Sequence, residues 1–393
     1  MSHPEQAEHD GPGADGAALR LAVLLSYSGD GGVERMMNQL IAGMLEQGHS
    51  VDVLVLKTAG GHFGALPDGA RVLRLARTHA GMSAGEIARY LRRERPHVLL
   101  AAKDRAGRAA LRARQRAGTD TRVVIRIGNT LSQSLAHRGG VRRWLRYRPI
   151  RRWYPRADAV IAVSDGVAED VVATSGVSAE RVHVVPNPVV TPTLYERARA
   201  TPAHAWFHDG GPPIILAVGR LTEQKDFPTL LHAFARLRAR TDARLIVLGE
   251  GEERSALERL ARDLSVQADL DMPGFLANPY GYMANAQQFV LSSAWEGSPN
   301  ALTEALALGR PVVATDCRSG PREILEGGRY GALVPVGDAE ALADAMVRTL
   351  RDPLPAATLK QAVTAYTREA SVTAYLRVLG LDSEPKRPHA DFP

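Results

Sequence analysis

Ile214-Ile215-Leu216-Ala217-Val218-Gly219-Arg220-Leu221-Thr222-Glu223-Gln224-Lys225-Asp226-Phe227 is an apolar run, a glycine, a polar loop and the start of a helix-length segment. The apolar run is strand-sized and bounded by turn residues, and residues 227–240 carry the apolar spacing of a helix. The glycine lets the chain turn sharply where strand gives way to loop. This is one βα unit. Outward in both directions the same unit recurs. Residues 21–25, 51–57, 98–101, 123–127, 159–163 and 182–185 read as strands, and stretches such as 32–47 and 106–117 lie between them with helical length. Downstream, strand 244–248 leads to helix 255–263, strand 289–292 to helix 299–308, and strand 311–314 to a loop and a turn at 327–331. Residues 339–350 and 371–379 follow as helices. Consecutive units of this kind build a mostly parallel sheet covered on both faces.

The alternation breaks once. Residues 186–211 hold four prolines and no clear strand, which places the division between two α/β halves there. Length agrees, because 393 residues exceed an ordinary single core. The reading is a disordered tail over 1–17, a first domain over 18–190 and a linker over 191–211. A second domain spans 212–365, a helix over 366–380 returns to the first domain, and a tail occupies 381–393. Two doubly wound halves place a cleft between the carboxyl ends of their sheets, where ligands bind in such folds.

Hydrophobic content of 45% and charged content of 23% are those of a soluble globular protein. The longest apolar stretches are far short of a membrane span, and residues 1–16 lack the apolar core of a secretory signal. Cys317 is the only cysteine, which rules out an internal disulfide and a cysteine-built metal site, and it reads as a small core or loop residue. These features place the chain in the cytoplasm. Residues 1–190 carry 27 Lys and Arg against 18 Asp and Glu, so the first half is the one that meets an anionic partner.

The strongest chemical signal is Trp295-Glu296-Gly297-Ser298-Pro299-Asn300-Ala301-Leu302-Thr303-Glu304. Ser298 suits an N-cap and Pro299 the first helical position, with Gly309 as the stop. The free amides of Asn300, Ala301 and Leu302 then form an anion site, strengthened by the helix dipole. Glu296 just before the helix and Glu304 in its second turn bracket that site, as suits a nucleotide sugar: one carboxylate for sugar hydroxyls, one for the ribose. Taken alone, the pair also fits a loop Glu and an exposed helix Glu. Gly219, Arg220 and Lys225 form the second signal, since two cations after a glycine turn can converge on a pyrophosphate. A third is Ser28-Gly29-Asp30-Gly31-Gly32 after the first strand, whose glycines allow close approach to a phosphate or sugar. The second strand runs to Lys57 and lacks the acidic residue that would hold an NAD ribose, which disfavours an oxidoreductase. Gly249-Glu250-Gly251 reads as a tight turn.

Together these residues resemble the retaining GT-B glycosyltransferases of family 4, over about residues 18–380. Ala162-Val163-Ser164-Asp165-Gly166-Val167, Val185-Pro186-Asn187-Pro188-Val189 and Gly331-Ala332-Leu333-Val334-Pro335 add to the likeness. So do the helix around Tyr375, which in the family returns to the first domain, and Ser319-Gly320-Pro321-Arg322-Glu323-Ile324-Leu325, similar to members that build lipid-linked or surface glycans. The resemblance implies two Rossmann-like domains facing across a cleft. It implies Arg220 and Lys225 on the diphosphate, Glu304 on the ribose, Glu296 on the donor sugar, Phe275 near the base, and Gly31 and Gly32 approaching from the opposite domain. It also implies transfer with retention, without a protein nucleophile or a metal, from a nucleotide sugar. The donor would be a UDP-linked hexose or N-acetylhexosamine and the acceptor a glycan or a lipid-linked sugar. Many members carry a His at the end of strand 123–127. Here the chain reads Arg126-Ile127-Gly128-Asn129-Thr130, leaving Arg126 or Asn129 to take that place. Lys103, after an earlier strand, could touch the acceptor or form an ordinary loop ion pair.

Residues 138–156 hold eight arginines, no acidic residue, and Trp144, Tyr147, Trp153 and Tyr154. Arg142, Arg143, Trp144, Arg151, Arg152 and Trp153 suit a peripheral contact with the anionic cytoplasmic face of an inner membrane. The same residues also suit a phosphorylated acceptor, or a solvated helix with its tryptophans partly in the core. A GT-B sugar-nucleotide epimerase and a basic nucleic-acid-binding protein are the competing readings. The latter is suggested only by a pI of about 9.6, no RNA-binding motif accompanies it, and nucleic acid is not the expected partner.

Overall fold

The structure, a computed structural model, describes residues 20–25, 32–56, 66–77, 82–133 and 140–381, with the backbone alone at 140–144 and 146. Residues 28–31 of the glycine loop, Lys57 and both expected tails (bar Leu381) lie outside the described residues.

In the first half, β1 (Arg20–Leu25), α1 (Gly32–Glu46), β2 (Ser50–Leu56), β3 (Arg71–Leu75), α2 (Ala84–Glu94), β4 (Val98–Ala102) and α3 (Asp104–Ala117) follow one another. Then come β5 (Arg122–Ile127), α4 (Gly140–Trp153), β6 (Ala159–Ala162), α5 (Asp165–Ser175) and β7 (Val182–Val184). The strands form one parallel sheet in the order β3-β2-β1-β4-β5-β6-β7. Its central strands are buried on both faces, as their unbroken apolar runs require.

The second half starts from α6 (Pro192–Ala198), then β8 (Ile214–Val218), α7 (Phe227–Arg238), β9 (Arg244–Leu248), α8 (Arg254–Asp263), β10 (Leu270–Gly274) and α9 (Tyr280–Asn285). It continues with β11 (Gln288–Leu291), α10 (Asn300–Ala307), β12 (Val312–Thr315), α11 (Pro321–Ile324), β13 (Ala332–Val334), α12 (Ala339–Arg351), α13 (Ala356–Gln361) and α14 (Arg368–Leu379). Its parallel sheet runs β10-β9-β8-β11-β12-β13. Both sheets therefore switch direction of winding beside their first strand, and the crevice at that switch point is where a ligand can sit.

The stretch 191–211 is structured: Thr191 caps α6 through Leu194 N–H, and Leu194 is buried in the core of the second half. α14 goes the other way. Its Val372, Tyr375, Leu376 and Leu379 join the core of the first half, against α1, where Gly43 lets the helices touch because a Cβ there would lie 2.5 Å from Val372. Three strands appear that the apolar pattern does not mark: β3, β10 and β13, each short and at or near a sheet edge. No helix among the described residues is long and apolar enough to cross a membrane.

Candidate active site

The loops after β8 and β11 lie side by side. Lys225 ends a single 3-10 turn that Asp226 converts into α7, its carboxylate accepting from Thr229 N–H and Oγ1. Ser292 Oγ donates to the Lys225 carbonyl at 2.8 Å, and Gln224 Nε2 donates to the Trp295 carbonyl at 3.0 Å. These bonds stitch the cation loop to the Glu296 loop. The Lys225 ammonium forms an ion pair with the Glu296 carboxylate, which also accepts from Ser293 Oγ at 2.8 Å. Ser319 Oγ holds the Glu296 carbonyl at 2.7 Å. Behind them, Gly249 is fixed as glycine: its φ is +147°, and a Cβ there would meet the Gly219 carbonyl oxygen at 1.8 Å. The end of β9 thus runs directly beneath Gly219 and Arg220.

α10 begins at Asn300, one residue later than the sequence suggests, with Pro299 rather than Ser298 at the cap. The Ser298 hydroxyl is buried without a partner and lines the cleft. The anion site is correspondingly smaller than expected. Leu302 N–H already donates to the Pro299 carbonyl at 3.1 Å, and its side chain is core, so Leu302 is no ligand. Asn300 and Ala301 remain at the open helix end and line the cleft. Glu304 lies one turn on, enclosed, with Tyr280 Oη donating to its Oε1 at 3.2 Å. Burial pushes its carboxyl pKa up, while the Arg35 charge and the Tyr280 hydrogen bond pull it back.

These loops and the start of α10 open on one cleft of about 430 Å³ between the two sheets, within the range of small-ligand sites. Glu296, Arg220, Lys225, Glu304, Asn300, Ala301, Gly219 and Phe275 line it from the second half, with Phe275 57% exposed at its mouth. Gly32, Arg126 and Asn129 line it from the first half. Lys103 is not among the lining residues and forms an ion pair with Glu34 at 3.4 Å. The halves are also joined directly. Asn187 Nδ2 donates to Asn300 Oδ1 at 2.9 Å, and the Glu323 carboxylate accepts the Asp165 and Gly166 amides at the start of α5, at 2.8 and 3.1 Å.

Residues 31–188 match the family described as Glycosyl transferase 4-like domain, and residues 212–352 match Glycosyl transferases group 1. Each match takes up one half, and together they account for most of the chain. The chain belongs to the group 1 glycosyltransferases. It has the GT-B fold of that family: the HepE structure from Anabaena, in complex with UDP and glucose, superposes with a TM-score of 0.73 at 17% identity, covering 92% of this chain and 99% of that one. Among curated relatives, the N-acetylgalactosamine-N,N'-diacetylbacillosaminyl-diphospho-undecaprenol 4-alpha-N-acetylgalactosaminyltransferase of Campylobacter jejuni is 34% identical over 51% of this chain and 52% of its own length. The lipopolysaccharide core biosynthesis glycosyltransferase LpsE of Rhizobium meliloti is 34% identical over 51% of this chain and 56% of its own. The chain spans about half the length of the curated relatives it matches.

Within this group 1 chain, several residues in and around the cleft have contacts that the sequence alone does not assign. Arg35 and Tyr280 face Glu304, Gln224 ties two loops together, and Asn187 bridges the halves. Gln224 and Asn187 stand inside the motifs quoted above and Arg35 just after the glycine loop, none with an assigned role, while Tyr280 stands in no motif. The basic stretch also differs from expectation. Trp153 is 8% exposed and sits in the core with Arg112 and Arg156 over its ring, and Tyr154 is fully buried beside Asp104. Trp153 is therefore not a surface residue. Arg151, Arg152 and Leu145 are exposed; the side chains of Arg142, Arg143 and Trp144 lie outside the described residues. Cys317 is buried, and burial pushes its thiol up to about 12, which leaves no thiolate for nucleophilic work.

Proposed function

We propose that this chain transfers a sugar, with retention of configuration, from a nucleotide-diphosphate sugar to a hydroxyl of a glycan or lipid-linked acceptor in surface polysaccharide assembly. The observation that carries this is the convergence of Glu304, Arg220, Lys225 and the open end of α10 on one cleft, with Glu296 alongside. In this reading the ribose hydroxyls donate to Glu304, the base packs on Phe275, and the pyrophosphate lies between the α10 amides and the two cations. Glu296 accepts from a donor-sugar hydroxyl. As the bond from the anomeric carbon to the phosphate oxygen breaks, charge grows on the diphosphate, where Arg220 and Lys225 stabilise it without a metal. The acceptor hydroxyl attacks the same face and passes its proton to the leaving phosphate oxygen. A UDP-linked hexose or N-acetylhexosamine is the proposed donor, a reading supported by the UDP in the Anabaena structure. The diphospho-undecaprenol in the Campylobacter enzyme's name supports a lipid-linked acceptor.

Thermal unfolding with UDP, GDP, ADP and CMP tests the donor site. A ligand at about 100 times its dissociation constant stabilises the native state by about 2.7 kcal/mol. UDP is expected to raise the melting temperature, and Glu304→Ala and Arg220→Ala to abolish the rise. A wild-type protein that no nucleotide stabilises would overturn the site.

Arg151, Arg152 and the exposed Leu145 around the end of α4 fit a peripheral contact with anionic lipid at the cytoplasmic face of the inner membrane, each basic residue contributing about 1 kcal/mol. Co-sedimentation with phosphatidylglycerol vesicles is expected to fall when Arg142, Arg143, Arg151 and Arg152 are changed together to Gln. Unchanged sedimentation would remove the membrane from the proposal.

A further inference from the structure

Arg126 is the deepest cation of the cleft. It stands near the end of β5, is 2% exposed, and lines the cavity. Its Nη2 donates to Asn187 Oδ1 at 2.7 Å, but Nε and Nη1 have no hydrogen-bond partner. The buried Tyr375 hydroxyl interacts with the guanidinium, in a contact that satisfies neither Nε nor Nη1. No carboxylate among the described residues pairs with it. The carboxylates that line the cleft are engaged elsewhere, Glu296 with Lys225, Glu250 with Arg254 and Glu304 with the Tyr280 hydroxyl. A buried guanidinium with open donors and no counter-charge is costly to hold. The sequence nonetheless makes room for it: a Cβ at position 128 would lie 2.6 Å from Nη1, and Gly128 has none.

Its place in the cleft is the sugar end. A Cβ on Gly297 would lie 2.2 Å from the Gly128 carbonyl oxygen, so the Glu296 loop rests directly on the strand end that carries Arg126. Asn187 cannot serve as the missing anion, since it is neutral and already spans Arg126 and Asn300.

We infer that Arg126 is an anion subsite, and that the sugar handled at this end of the cleft carries an acidic group, a carboxylate or a phosphate, which completes the planar fork of donors. The inference rests on the nucleotide-sugar reading above and adds the substrate's charge to it. The group can belong to the donor sugar, as in a uronic acid, or to the acceptor.

Calorimetric titration separates these sources. UDP, UDP-glucose and UDP-glucuronic acid are titrated into the wild type, Arg126→Gln and Arg126→Lys. Glucuronic acid, glucose 1-phosphate and glucose are then titrated with and without saturating UDP. An acidic donor sugar predicts UDP-glucuronic acid binding about 10-fold or more tighter than UDP-glucose. An acidic acceptor predicts binding of glucuronic acid or glucose 1-phosphate where glucose does not bind. Either preference is expected to vanish in Arg126→Gln and to persist in part in Arg126→Lys, with UDP binding by each variant as the check that it folds. Equal binding of acidic and neutral ligands by the wild type, or a preference that survives Arg126→Gln, would overturn the inference. Loss of UDP binding by the wild type strikes the nucleotide reading instead, and the nucleotide-free titrations then still decide on Arg126.

Discussion

Lys225→Met is expected to lower kcat about 10²–10³-fold, the range for removing one preorganised stabiliser of developing charge. The side chain has two jobs. Its ammonium is ion-paired with Glu296, at 17% and 7% side-chain exposure respectively, so it is largely desolvated and held in place. On the proposed reaction path it faces a diphosphate whose charge grows only as the glycosidic bond breaks, which makes its effect larger in the transition state than in the ground state. The substitution also leaves Glu296 with only a serine hydroxyl on the same oxygen. Breaking a buried pair from one side costs about 3–5 kcal/mol when burial is complete and less here, where Lys225 is partly exposed. The double variant Lys225→Met/Glu296→Gln separates the two. It is expected to recover most of the melting temperature and none of the rate. Recovery of both would reduce Lys225 to a counter-ion for Glu296.

The halves of this cleft differed in how plainly the sequence displayed them. Arg220, Lys225, Glu296 and Glu304 stand within a few residues of a glycine turn or a helix start, where local geometry alone restricts which way they point. Edge strands were harder. β3 reads Arg-Val-Leu-Arg-Leu and is mostly exposed, while β10 contains Pro273 and a break in register, so neither shows the apolar run of a doubly covered strand. The basic stretch misled for a related reason. Composition counts arginines and aromatics together, whereas the chain turns Trp153 and Tyr154 into the core and leaves Arg151 and Arg152 outside. The contacts that complete the cleft have no local pattern at all. Asn187 meets Asn300 across 113 residues of chain, and Glu323 caps α5 from 158 residues away. Only the packing of the halves brings these groups together. The same holds for Arg126, whose open guanidinium becomes visible once Gly128 and the Glu296 loop are seen against it.

Glu304→Gln is expected to weaken UDP binding about 10–100-fold while making the unliganded protein more stable at neutral pH. Glu304 is enclosed, and burial raises its carboxyl pKa above the ordinary 4.5, with Arg35 and Tyr280 only partly offsetting this. A carboxyl whose folded pKa is raised contributes its stability while protonated, below 4.5, and loses it as pH climbs through the folded value. The empty wild type therefore carries a penalty at neutral pH that the amide lacks. The variant should melt higher than wild type near pH 7, and the gap should close on acidification. Binding runs the opposite way. Ribose hydroxyls are donors, and the ionised carboxylate accepts from them better than the acid or an amide does, a bond to a charged group contributing about 1.5–3 kcal/mol against about 0.5–1.5 kcal/mol for a neutral one. UDP affinity in the wild type should thus rise with pH through the raised pKa and then level off, a step that Glu304→Gln should not show. Unliganded melting curves and UDP titrations between pH 4.5 and 8 test both halves. A variant that binds UDP as tightly as wild type would mean that the ribose lies elsewhere. A variant that loses stability at neutral pH would mean that Arg35 and Tyr280 more than offset the burial of the charge. The two results together separate a carboxylate kept for its ligand from one kept for the fold.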